Sequence, residues 1–85
     1  MKLWGKTKLD NNTLDSRVVT VNAKHAYEVE DWSEPFARLC HDTNLSRPVI
    51  LKKHVRDLEQ FRHTVFLPQD FLESVDFDRL EIEIF

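Results

Sequence analysis

The chain has 85 residues, 41% hydrophobic and 32% charged, with a formal net charge of −3. That balance fits one globular domain around a single modest core, residues 1–85, and is too rich in apolar residues for a disordered chain. One Cys excludes an intrachain disulfide and fits a reducing, cytoplasmic setting. The opening MKLWGK has no apolar stretch behind it, so no signal peptide is expected. The longest apolar runs, Val49-Ile50-Leu51 and Val65-Phe66-Leu67, are far too short for a membrane span.

In chain order, KLWGKTKL, DNNT and LDSRVVTVN read as a β-hairpin with Asn11-Asn12 at its tip, since Asn tolerates left-handed backbone. That register sets Lys8 opposite Asp15 and Trp4 opposite Val19. Leu3, Leu9, Leu14 and Val18 then share one face. Trp4, Lys6, Lys8, Arg17, Val19 and Val21 share the other, charged at the tip and apolar at the open end. Gly5 marks a bulge or a close contact. AKHAYEVE, within 23–30, fits strand continuation or loop equally.

DWSEPFARLCHDTNL carries the clearest helix, about 31–43. Asp31 can cap it, and Pro35 falls in the first turn, where its missing N–H costs little. Trp32, Phe36, Leu39, Cys40 and Thr43 form one apolar stripe, with Glu34, Arg38 and Asp42 as an i, i+4 ladder outside. Asn44-Leu45 suits a left-handed stop. RPVILKK reads as a short strand buried on both faces. HVRDLEQF reads as a short helix or turn, FRHTVFLP as extended, and Pro68 as the start of another helical turn. The closing DRLEIEIF alternates as a half-buried antiparallel strand. The sum is an α+β domain: a mainly antiparallel sheet with an N-terminal hairpin, one main helix and short helical turns on one face, and a C-terminal strand. Its expected core is Leu3, Leu9, Val18, Trp32, Phe36, Leu39, Cys40, Val49, Leu51, Leu58, Phe71, Leu80, Ile82 and Ile84.

The single glycine is the firmest functional exclusion. GxxxxGK[ST], GxGxxG and GxSxG each need two or more glycines, so phosphate loops, dinucleotide folds and serine-hydrolase elbows cannot be written here. The stretch HVRDLEQFRH invites a metal or acid–base reading. His54 and His63 are nine residues apart, which on a helix places them on opposite faces. No His has another at i+3 or i+4, so no paired metal site is expected. Cys40 lies on the buried stripe, where a thiol is inert, and no nucleophile–base set is written. No cofactor, metal or catalytic residue is therefore expected, and a small metal-binding protein or a His/Cys enzyme stands only as an alternative.

Charge is uneven. Residues 47–63 hold five Lys/Arg against two Asp/Glu (+3), and residues 64–85 one Arg against six Asp/Glu (−5). Lys52, Lys53, Arg56 and Arg62 form a candidate anion or partner site. Phosphate or nucleic acid binding through 47–63 is the alternative function, set against neutralisation by Asp70, Glu73, Asp76 and Asp78. Nucleic acid is disfavoured, because the basic excess is cancelled nearby. Pairing of the last strand beside the first would bring Glu81 and Glu83 near Lys6 and Lys8. Trp4, Val19, Val21 and Phe85 would then form an apolar end on a charged face, either covered by AKHAYEVE or left for a homodimer or another protein partner.

MKLWGK, RPVILKKH and FLESVDFDRLEIEIF together resemble a group of small uncharacterised proteins of Gram-positive bacteria. The resemblance implies a stand-alone cytoplasmic domain and transfers no activity and no functional residue. The combined expectation is a non-catalytic protein-interaction or regulatory domain.

Overall fold

The computed structural model describes residues 1–41 and 46–85. Four strands form one antiparallel sheet in the order β2-β1-β4-β3: β1 Lys2–Leu9, β2 Asn12–Thr20, β3 His63–Phe66 and β4 Arg79–Ile84. Helices α1 (Ser33–His41) and α2 (Lys52–Phe61) pack on one face. Single 3₁₀ turns lie at Ala26–Glu28 and Pro68–Asp70. The α+β architecture, the N-terminal hairpin and the alternating C-terminal strand all stand as expected. The helix stop at Asn44-Leu45, the stripe position Thr43 and the ladder position Asp42 lie outside the described residues.

The hairpin differs by one residue, and that changes which valine faces the core. Its turn is Asp10-Asn11, both with positive φ (51° and 68°), the backbone a two-residue hairpin loop demands. A bulge between Thr7 and Lys8 then sets Thr7 opposite Asp15, Trp4 opposite Val18 and Leu3 opposite Val19. Because side chains alternate, a shift of one residue swaps the faces. Val19 and Val21 are therefore core residues, not members of the outer face, and Val18 is not core but 45% exposed. Asp78 holds the tip: its carboxylate accepts the Asp10 N–H (2.9 Å), and its own N–H donates to the Lys8 carbonyl (2.7 Å).

The expected strand over RPVILKK is corrected. Pro48 makes one isolated bridge to Phe71, and the chain enters α2 at Lys52. Proline supplies no N–H to a ladder, and the Leu51 N–H is spent on the ring of His54 (3.0 Å). Val49 and Leu51 are consequently exposed rather than core. AKHAYEVE resolves as bends and a 3₁₀ turn whose Ala26 joins the core on the helical side, so it does not cover the outer face.

Inside, Leu3, Val19, Leu80, Ile82 and Ile84 meet Trp32, Phe36, Leu39 and Leu58 from the helices. A chain of tilted and edge-on rings runs Trp32–Phe36–Phe66–Phe71–Phe77 at centroid spacings of 6.2, 5.4, 6.5 and 5.4 Å, geometry that adds to plain apolar burial. Gly5 marks a close contact: a Cβ there would stand 2.7 Å from Leu39 Cδ2, so the missing side chain lets α1 approach β1. Asp31 starts α1 by accepting both the N–H (3.0 Å) and the hydroxyl (2.6 Å) of Ser33, which hold its carboxyl below the usual range. Arg38 pairs with Glu34 at 2.8 Å on the solvent side.

Candidate functional site: the outer face of the sheet

With both helices on the inner face, alternation in β1 and β4 presents Trp4, Lys6 and Lys8 beside Arg79, Glu81 and Glu83 on the other. The register writes two rows across all four strands, Val18–Trp4–Glu83–His63 and Ser16–Lys6–Glu81–Val65. Lys6 is the hinge between them. Its ammonium lies 4.1 Å from the Trp4 ring centroid and 3.9 Å from Glu81 Oε1. Arg79 Nε donates to Glu81 Oε2 at 2.7 Å, and this bond, joined by the charges of Arg79, Lys6 and Lys8, holds the Glu81 carboxyl below its ordinary value. Phe85 meets Trp4 edge-on at 5.9 Å and is itself 52% exposed. Trp4 is thus flanked by Phe85, by the Lys6 cation and by Val18. Lys8 turns instead to Thr13 (2.6 Å).

Of the residues expected on this face, the fold assembles Trp4 and Phe85 and removes Val19 and Val21. Val18 takes their place. The sequence did carry the signal: in Val18-Val19-Thr20-Val21, only the odd positions are both apolar, so they are the better pair to bury.

The basic positions divide. Lys52, Lys53 and Arg56 are exposed on the first turns of α2. Arg62 sits at the far end as a left-handed cap (φ 58°), about 15 Å along the axis from Lys52. Among the described residues no ion pair joins any of the four to the acidic C-terminal segment. Three of its carboxylates are engaged elsewhere: Asp70 with the Leu67 N–H, Glu73 with Ser46, Asp78 with the hairpin tip.

HVRDLEQFRH proves structural through His54, which sequence reasoning left out of the core. Its side chain is 1% exposed, tilted against Phe66 (4.1 Å, 35°), with Nδ1 accepting the Leu51 N–H and Nε2 3.7 Å from Asp70 Oδ2. An acceptor Nδ1 fixes the neutral ring with its proton on Nε2. The ring thereby caps α2 and packs its Nε2 edge beside Asp70 of the turn Pro68–Asp70 without a hydrogen bond. Its spacing from Leu58 (i, i+4), both buried, is the trace of this in the sequence.

Cys40 is buried, and burial pushes its thiol up to about 11, so it stays protonated. Among the described residues no three His, Cys, Asp or Glu side chains come together as a metal would require. A cleft of about 240 Å³ opens near the hairpin tip, lined by Thr7, Arg17, Ser74 and Asp76 over Gly5 and Leu80. Neither histidine nor cysteine lines it. Among the described residues no helix is long and apolar enough to cross a membrane. The fold defines a small α+β domain with an open antiparallel sheet face. No family model, curated protein or solved structure matches the chain.

Proposed function

We propose that this chain is a non-catalytic protein-interaction domain that binds through the outer face of its sheet, with Trp4 as the anchor. The observation that carries this reading is the half-exposed cluster of Trp4, Phe85 and Val18 set among paired charges of both signs. Aromatic anchors inside a polar rim are the usual anatomy of protein contacts, and a central Trp commonly contributes more than ~2 kcal/mol to them. The partner it suits presents an apolar side chain to Trp4 and charges of both signs to Lys6, Glu81 and Glu83. Wild type and Trp4→Glu should be compared by circular dichroism, by solution mass and by quantitative affinity capture. The reading expects a folded variant that loses its associations. A folded variant with unchanged mass and unchanged partners refutes it.

A further inference from the structure

β2 is an edge strand that, among the described residues, pairs with β1 alone. The Val21 N–H donates to the Met1 carbonyl (2.8 Å), and an antiparallel strand alternates inward and outward bonding positions. Ser16, Val18 and Thr20 therefore aim their N–H and C=O groups away from β1. Protected edges are blunted by bulges, charges, proline or short length. Here the tip half is blunted: the Thr7/Lys8 bulge lies there, and Asp15 Oδ1 occupies the Ser16 N–H (2.9 Å). The opposite edge of the sheet, β3, has only four residues. Val18-Val19-Thr20 carries no such device, and its residues are good strand formers.

We propose that the occupant of this edge is a second copy of the chain, whose β2 pairs antiparallel with this one about a two-fold axis at Val18. This rests on the outer-face reading, because Val18 continues the row that begins at Trp4. The edge is self-complementary in that register. Val18 exchanges its N–H and C=O with the partner's Val18, and the Thr20 N–H reaches the carbonyl of the partner's Ser16, a group Asp15 leaves available. Arg17 lies opposite the partner's Val19, so the two Arg17 residues do not face each other. Centring the axis on Ser16 would oppose N–H groups already taken and run into the bulge, and centring it on Arg17 would set the two Arg17 residues opposite each other and leave half of the Ser16–Val18 bonds to the occupied Ser16 N–H. The exposed Val18 side chain is covered by its own equivalent, and the two Trp4 rows become continuous across one sheet.

The test is the solution mass of the full chain, 10.1 kDa as a monomer, followed by sedimentation over rising concentration. Wild type should move toward twice that mass. Val18→Pro removes only an outward donor, a change an edge strand tolerates, and should remain monomeric with the wild-type dichroism spectrum. Should that variant unfold, Val18→Lys serves in its place, since it sets two cations opposite each other at the axis and should also be monomeric. A wild type that stays monomeric to ~1 mM overturns the dimer, while leaving the Trp4 face to another protein. A dimer that survives both Val18 changes but not Trp4→Glu overturns edge pairing and keeps the face as the interface.

Discussion

Replacing His54 by Ala should cost this domain a large share of its stability, and the cost should depend on pH. Two losses add. The Leu51 N–H loses its cap, worth roughly 0.5–2 kcal/mol at a helix start. The imidazole leaves a void against Phe66, and truncating a buried side chain of similar size costs roughly 2–5 kcal/mol. Together they come to about 2.5–7 kcal/mol against a total of ~5–15 for a domain, or a fall in melting temperature of at least ~10 °C at this size. Burial is the largest influence on the His54 ring and holds its pKa below the ordinary 6.5; Asp70 and Asp57 pull it upward and Lys53 down. The unfolded chain therefore takes up a proton that the fold resists. Stability from the neutral ring is complete above pH 6.5 and declines as pH falls from there through the folded pKa. Denaturant melts of wild type and His54→Ala between about pH 7 and 5 separate the cases. The gap should narrow on acidification, because the Ala variant lacks this titration. A loss under ~1 kcal/mol, or parallel slopes in the two proteins, would refute the cap.

Gly5→Ala places a methyl 2.7 Å from Leu39 Cδ2 and should destabilise by roughly 1–3 kcal/mol through overpacking. Restoration by a second change, Leu39→Val, in the same melts would identify crowding as the cause, and an additive loss would exclude it. Arg62→Gly should stabilise by a few tenths of a kcal/mol up to ~1, since Arg62 holds φ 58° at the end of α2, where glycine is the unstrained residue. A destabilised Arg62→Gly would show that its side chain holds more of the fold than its backbone angle suggests.

Periodicity made most of the fold legible. The alternation of Leu80, Ile82 and Ile84 and the stripe from Trp32 to Cys40 each report on one element and its buried face, and both fall in the core. What failed were the places where a single hydrogen bond overrides the pattern. In RPVILKK the apolar run looks like a buried strand, yet the Leu51 N–H goes to His54 and the chain turns into α2. Composition could not foresee this, because a histidine ring acting as a cap depends on Phe66 and Asp70 arriving from elsewhere in the chain. Likewise the basic run 47–63 and the acidic run 64–85 were legible as charge but not as contacts. Asp70, Glu73 and Asp78 found other donors: respectively a backbone N–H of its own turn, the Ser46 hydroxyl and a backbone N–H of the hairpin tip.

The hairpin shows how one residue ties fold to function. DNNT offers two equivalent tips to a reader, and Asn11-Asn12 serves a left-handed turn as well as Asp10-Asn11 does. The choice is made remotely, where Asp78 receives the Asp10 N–H at one corner and the bulge absorbs the spare residue. With that residue absorbed, Val19 and Val21 seal the core, and Val18 is left outside beside Trp4. A regular ladder closed at Asn11-Asn12 would have buried Val18 with Thr20 instead, a poorer pair for a core of this size, and would have carried Val19 and Val21 outward. The core's demand for two valines thus sends the third to the surface. The exposed apolar character of the outer face follows from packing on the inner one, and the bulge that permits it also blunts the tip half of the β2 edge, so that the bare main chain of β2 lies where Val18 does.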